Sequence, residues 1–555
     1  MKKKILIFVL AFTICIILYF VINKVYVQKI KENKDDINWL RKNVTIIEDY
    51  SIGSGVLSIN KEDEIDVYGN NYRIVIDEKI NELKSNGYTF DNPLLIYNAY
   101  GTNSSGINIY FNTDKKTYLT YTINCEDKEI PNYTKTLYNE NENNLTKKHE
   151  YQITGLVAGE IQKITLKLYD ENNKNIKTKE ITIFIPESKV DIKLGKKNGN
   201  SNSKLEDGLY AVLGHDKSFN SNIYMYDNDG ILRVEIPLNG YRTDRIEMID
   251  NKMLYSYAKN KFALVNRLGK VVKTYKISGY TMHHDYIYDK NTNNLIILAN
   301  KAGCDTIEDK VIKLSLDTGE IKEIIDMKDF AKDFYESAES PKGGNTYGGE
   351  ELDWIHLNSL SLNGTDLILS SREFSTIFCI EDIYSSPSLK YVIGDETIYE
   401  NTSLEKYAYK KIGDFISQAG QHTITYEFDE ALADKNYYIT MYNNNFASSR
   451  TRPNFNWEPF TSAGTYTKGE ASKYYKYLID ENNKTFTLVD SFDTDYSSIV
   501  SSIQQLKSNI VTSSGMDNSF SEYDSEHNLI RKFNYKSKKY AYRVFKYSFD
   551  EFWYN

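Results

Sequence analysis

Cysteine is scarce in this chain, with four residues among 555, and one of them, Cys15, lies inside an apolar run near the amino terminus. The other three, Cys125, Cys304 and Cys379, allow at most one intramolecular disulfide and have no metal-ligand spacing, so stability cannot rest on a disulfide framework. None of them opens a Cys-x-Pro-x-Arg sequence, which closes the formylglycine route to sulfate-ester chemistry. A basic surplus is also missing. Lys and Arg total 68 against 77 Asp and Glu, a net charge of -9 spread without large blocks, and this argues against nucleic acid as a partner. No His-x-x-x-His or His-Glu-x-x-His spacing occurs, so no metal site is read from the sequence. No glycine-rich phosphate loop stands between a strand and a helix, and no cofactor is expected.

What is abundant points to β-structure. There are 47 Tyr and 24 Phe, only 8 Pro, and short clusters of Asn, Asp and Gly that punctuate apolar runs. The one long apolar run, Ile5 to Ile22, follows Lys2, Lys3 and Lys4 and has the length of a membrane-crossing helix. No small-x-small cleavage site follows it, so residues 1–23 are read as a retained signal anchor with the rest of the chain outside the cytoplasm. Residues 24–60 read as a charged juxtamembrane stalk, helical around Ile30 to Asn43. Short strands such as Ser104–Phe111, Lys116–Ile123 and Ile161–Tyr169 predict an immunoglobulin-like β-sandwich over 61–190. Gly195 to Lys204 reads as a linker. Over 200–555, segments opening near Gly208, Ile246, His283, His356, His422 and Ile510 each start with a strand and a hairpin turn. Six such units predict a six-bladed β-propeller, making the chain all-β apart from its anchor.

Four of the seven histidines fall at comparable places in three successive units: His283-His284-Asp285, Ile355-His356-Leu357-Asn358 and Gln421-His422-Thr423. Equivalent positions in propeller blades face one central channel, where ligands of closed β-architectures bind. One hairpin can be checked by counting. Residues 356 and 372 are equidistant from Gly364, so a turn at Asn363-Gly364-Thr365 brings Arg372 beside His356, with Asn358 expected on the same face two residues along. Imidazoles, a guanidinium and amides, with neither thiolates nor a carboxylate pair among them, suit an anion that is held and transferred. Sulfuryl transfer, like phosphoryl transfer, needs fixed cationic donors for its charged oxygens and a proton donor for a departing phenolate. Neutral imidazole is also a competent nucleophile.

These segments resemble the bacterial arylsulfotransferase family, in particular Trp354-Ile355-His356-Leu357-Asn358-Ser359-Leu360, Ser370-Ser371-Arg372, Gln421-His422-Thr423 and, less specifically, the His-His-Asp triplet. The resemblance implies an N-terminal sandwich, a six-bladed propeller, and transfer from an aryl sulfate donor to a phenolic acceptor without the nucleotide donor PAPS. It implies that His422 is the nucleophile that becomes sulfated. His356, Asn358 and Arg372 would bind the sulfuryl group and its transition state, and His284, or else His283, would be the first propeller histidine of the site. It further implies a hydroxyl or backbone donor from the last blade, around Thr512 to Gly515, and is compatible with a homodimer. Two other classes stay open: a non-catalytic cell-surface propeller that binds glycan or protein, and a sulfate-ester hydrolase.

Overall fold

The computed structural model describes residues 33–214, 222–340, 350–457, 465–537 and 540–555. The proposed anchor, Cys15 and His215 lie outside these residues. Among the described residues no helix is long and apolar enough to cross a membrane.

The N-terminal unit is built on one long strand, Ile107–Cys125, whose buried and open residues alternate along its second half. Its first half pairs with Leu94–Tyr97 and Thr146–Ile153, its second with Tyr133–Thr136 and Ile161–Tyr169. The two segments predicted as separate strands are therefore one strand serving two faces of an immunoglobulin-like unit. Phe111, Leu119, Tyr121, Ile123, Ile164 and Leu166 fill the core between those faces.

Two expectations need correction here. Residues 45–60 are not stalk: Thr45–Glu48 and Val56–Asn60 form a hairpin that joins the sheet through Leu94–Tyr97, and only 33–43, a helix, keeps the expected character. Asn70–Lys84 is a helix inside the stretch read as strands. It buries Tyr72, Val75, Ile76 and Ile80, a helical stripe that packs with Leu40, Val44, Leu94 and Ile96.

The rest forms six radial sheets. Blades 2, 3 and 4 are simple four-stranded units running over 246–276, 280–326 and 357–393, and blade 5, over 410–494, has five strands from Lys410–Ile412 at its outer edge to His422–Glu427 at its inner side. The inner strand of blade 1 comes from the far end of the chain, where Arg543–Tyr547 pairs with Leu209–Leu213. Blade 6 begins at Ser501, one strand earlier than Ile510, and gains an edge strand, Gly195–Asn198, against Leu529–Asn534. The expected linker is thus itself a propeller strand, and the ring is closed twice, once by each end of the domain. Past the last strand, Phe549, Phe552, Trp553 and Tyr554 enter the same core as the sandwich. Tyr554 Oη lies 2.6 Å from Thr154 Oγ1 and 2.9 Å from Tyr133 Oη, and the Asn555 amide donates to the Thr136 carbonyl at 3.0 Å. The N-terminal unit is therefore packed onto the propeller and is more than a spacer. Cys125, Cys304 and Cys379 are all unpaired.

Candidate active site

The inner strands of blades 3, 4 and 5 each carry a bulge where they enter the channel. In blade 3, Met282 pairs with Ala299 and Tyr286 with Ile297, leaving His283, His284 and Asp285 opposite Leu298 alone. In blade 4, Asn358 is the extra residue between the Leu357–Ser371 and Ser359–Ser370 pairs; in blade 5, Thr423 and Ile424 face Met441 alone. Each site has one residue with left-handed backbone: His284 at φ 55°, His356 at 52° and Thr423 at 52°. Such conformations cost of order 1–3 kcal/mol for a non-glycine residue and persist where surrounding packing over-determines them. They also make His284 the backbone counterpart of His356.

The blade 4 bulge explains why the hairpin count works at its mouth. Leu360 pairs with Leu369 and Asn363 with Asp366, one residue off the register centred on Gly364, and the extra residue at Asn358 restores that register. The Arg372 amide then donates to the His356 carbonyl at 3.1 Å. The same bulge breaks period-two alternation, so Asn358 is oriented by its bonds and not by the pleat. Its Nδ2 donates to the Gln421 carbonyl at 2.8 Å, while its own carbonyl accepts from Tyr542 Oη at 3.0 Å and Arg543 Nη2 at 3.2 Å. Asn358 Oδ1 and His283 Nε2 are buried without a hydrogen-bond partner. Unsatisfied buried polar atoms are rare, and here two of them fall on residues of the histidine cluster.

The predicted residues do converge. The rings of His284 and His356 are 4.9 Å apart, those of His283 and His284 5.2 Å, and the Arg372 charge bears on both His356 and His422. Burial, reinforced by the neighbouring histidines, pushes His283 down to about 3 and His284 well below its ordinary value. His422 is likewise pushed to about 3, by burial first; its bond to Asn444 works against the shift, while Arg372 and His356 add to it. His356 behaves in the opposite way. Burial and Arg372 oppose its protonation, but Asp353 and Glu308 outweigh them and raise it to about 9.

His422 is held by its Nδ1. That atom lies 2.7 Å from Asn444 Oδ1 and 3.1 Å from the Gly420 carbonyl, and the Asn444 amide nitrogen is committed to the Ser497 carbonyl and Ser501 Oγ, which turns its oxygen to the imidazole. Two acceptors at Nδ1 fix the proton there, and among the described residues none hydrogen-bonds Nε2. Gln421 anchors the segment to blade 4 through Ser370 Oγ, the Ser371 carbonyl and the Thr376 carbonyl at 3.0–3.2 Å.

Several site residues were not legible beforehand. Glu308 and Asp353 contradict the reading that no carboxylate pair is present: Glu308 Oε2 and Asp353 Oδ2 each lie 2.6 Å from His356 Nδ1. Ligand atoms of His283, His284 and Glu308, and of Glu308, Asp353 and His356, lie within 4.8 Å of one another. Asn300, on the strand paired with the one that carries His284, holds the Glu308 segment, its Oδ1 accepting the Glu308 amide at 2.6 Å. Arg242 stacks 4.3 Å over the Tyr542 ring, which lies 5.3 Å from His284 and 6.4 Å from His422. Within Thr512–Gly515, where a last-blade donor is expected, Ser514 Oγ is taken by Tyr442 and the Asp495 carbonyl and the Gly515 amide by the Val500 carbonyl, while Ser513 Oγ is buried without a hydrogen-bond partner. Blade 6 reaches the site through Ser501, on Asn444.

Behind this rim lies a buried ion cluster. Asp285 accepts from Arg245 Nε at 3.0 Å and Nη2 at 3.2 Å and sits 2.6 Å from Arg543 Nη1, with Asp285 and Arg543 fully buried. Asp285 also accepts the Leu360 amide, so one carboxylate ties blades 1, 2, 3 and 4 together.

Among solved structures, the chain is similar to a 6-phosphogluconolactonase-like protein from Bacteroides fragilis, at 10% identity over 78% of this chain and 99% of that one, with a TM-score of 0.33. It is also similar to AztD from Citrobacter koseri, at 7% identity over 78% and 98% of the two chains, with a TM-score of 0.25. At those scores neither informs the reading of this site. No curated protein matches the chain. Two family models do: the arylsulfotransferase Ig-like domain over residues 94–186 and Arylsulfotransferase (ASST) over residues 195–551, more than half the chain. With the sandwich, the six blades and the histidine-lined channel in the places those matches cover, this chain belongs to the arylsulfotransferase family and is a sulfotransferase.

Proposed function

We propose that transfer runs in two half-reactions through a sulfohistidine at His422. The observation that carries this reading is the Nδ1 of His422 bound to two acceptors, which leaves the Nε2 lone pair on a neutral imidazole for attack. In the first half-reaction Nε2 bonds to sulfur as the aryl oxygen–sulfur bond breaks, and the phenolate leaves with a proton from the neighbouring histidines. In the second, a phenol oxygen bonds to the same sulfur, the nitrogen–sulfur bond breaks, and the acceptor proton returns to the site. Arg372 and the remaining N–H of His356 hold the sulfuryl oxygens, and Asn358 contributes the donor face next to Gln421.

Incubation with a chromogenic aryl sulfate, with and without phenol, tests the proposal. Donor consumption should rise sharply with the acceptor, with sulfate appearing on the added phenol. Consumption indifferent to phenol would mean a hydrolase, and none at all would mean a binding module.

Arg372→Lys keeps the charge but replaces a planar fork by a point charge. It is expected to lower kcat/KM by about 10²–10³-fold, the scale of losing a transition-state donor. Steady-state rates near wild type would remove Arg372 from the site.

We place this chemistry outside the cytoplasmic membrane, with residues 1–23 as a retained anchor. N-terminal sequencing of native protein that began beyond Ile22 would exclude retention.

A further inference from the structure

We propose that Glu308, Asp353 and His356, with His284 beside them, form a binding site for one divalent transition-metal ion at the inner wall of the channel. This reading does not depend on the route of sulfuryl transfer, and nothing in the family match assigns it.

The argument is one of donors and acceptors. His356 Nδ1 can present one proton, yet two carboxylate oxygens, Glu308 Oε2 and Asp353 Oδ2, each approach it to 2.6 Å. The hydrogen bond goes to Asp353, while Glu308 Oε2, buried, has none. Glu308 Oε2 is also 3.7 Å from His284 Nδ1, and that nitrogen in turn faces His283 Nδ1 at 2.9 Å. Two of these contacts are hydrogen bonds, His356 with Asp353 and His283 with His284, and Glu308 Oε2 is wedged between them with no proton of its own. The side chains of Glu308, Asp353, His284 and His356 are 3–8% exposed, so water offers them little relief. Two buried carboxylates a few ångströms apart repel strongly, and the His356 imidazole between them carries at most one positive charge, where a divalent ion carries two.

A divalent ion in place of the Nδ1 proton would satisfy Glu308, Asp353 and His356 at once. Imidazole and carboxylate together suit Zn²⁺ or Mn²⁺ better than Ca²⁺, which takes oxygen ligands alone. At metal–ligand distances of about 2.0–2.2 Å the ligand atoms stand roughly 3.3 Å apart, so the two short contacts would open by less than about 1 Å. The donors come from three separate segments, around 284, 308 and 353–356, which is why no spacing motif announces them. Such a centre also acts on the neighbouring chemistry. A cation on Nδ1 fixes the His356 tautomer so that its other ring nitrogen carries the proton.

The test uses the full-length protein, stripped with chelator and titrated with Zn²⁺, Mn²⁺ or Co²⁺ alone. About one equivalent should survive gel filtration by elemental analysis, and Co²⁺ should give a visible ligand-field band that saturates at one equivalent. Glu308→Gln and Asp353→Asn should each weaken retention by more than the roughly 10–100-fold of an outer-shell change. The acidic pair in the loop after His422–Glu427, Asp429→Asn with Glu430→Gln, should leave it unchanged. Wild-type protein that retains no stoichiometric ion and shows no Co²⁺ band overturns the site, whatever the variants do. Folded Glu308→Gln and Asp353→Asn proteins that bind as wild type does would overturn it equally. Because the readout is bound metal, its failure leaves acceptor-dependent sulfuryl transfer untouched.

Discussion

Replacing His422 with alanine should abolish donor cleavage and transfer together, by roughly 10⁴-fold or more, the scale of deleting a covalent nucleophile. Loss of a residue that only positions the acceptor would leave donor hydrolysis intact. The two patterns are distinguished by following aryl sulfate consumption without phenol. A quick quench of wild-type enzyme without acid, followed by peptide mapping, should find the sulfo group on the peptide carrying His422. A sulfo group on another residue, or normal turnover by His422→Ala, would sink the assignment. The same geometry sets an expectation for pH. With His422 held near 3 against an ordinary 6.5, chiefly by burial, the nucleophile stays neutral through mildly acidic conditions, so no loss of rate near 6.5 should trace to this residue. Stability responds with a definite sign. The unfolded chain binds more protons than the folded one between those two values. The contribution of His422, and of His283, which shares the shift, is therefore full above 6.5 and shrinks as pH falls toward 3.

Asp285→Asn should be the most damaging single change to the fold of the propeller's inner ring. It removes the carboxylate that Arg245 and Arg543 share and leaves the fully buried Arg543 without its ion-pair partner, while Arg245 keeps partial solvent access and Glu247. Breaking a buried pair by removing one partner costs about 3–5 kcal/mol. In this chain that should appear as a fall in Tm on the order of 10 °C. Asp517→Asn, at a more exposed pair with Lys532, should shift Tm little by comparison. Activity should fall further than stability explains, because Arg543 also holds the Asn358 carbonyl. A Tm within a degree of wild type would show that the carboxylate is not what binds the blades.

The parts of the molecule that were legible in the sequence are those written in local pattern. The hairpin from His356 through Gly364 to Arg372 could be counted because both partners lie within one turn of each other, and turns such as Asp227–Gly230 and Asp289–Asn294 sit where their composition put them. Ile161–Tyr169 alternates so regularly that its bounds were read correctly. What escaped depended on long-range closure or on a mixed signal. Gly195–Asn198 has a linker's composition but pairs with a strand more than three hundred residues away. Arg543 starts the inner strand of blade 1 yet lies more than three hundred residues from the rest of that blade. The helix at Asn70–Lys84 carries its apolar stripe among many polar residues, within a stretch dominated by strands. Glu308 and Asp353 were hidden because acidic residues are common on any surface, and only the fold makes these two buried neighbours of one imidazole.

The twofold closure of the ring also makes the site hostage to a single distant strand. Tyr542 Oη and Arg543 Nη2 both brace the Asn358 carbonyl, and Arg543 begins the inner strand of the first blade. A chain cut before Tyr542 would leave the first blade without its innermost strand and the asparagine without either brace. Such a fragment would hold all four channel histidines and still lack the wall that holds Asn358 beside them.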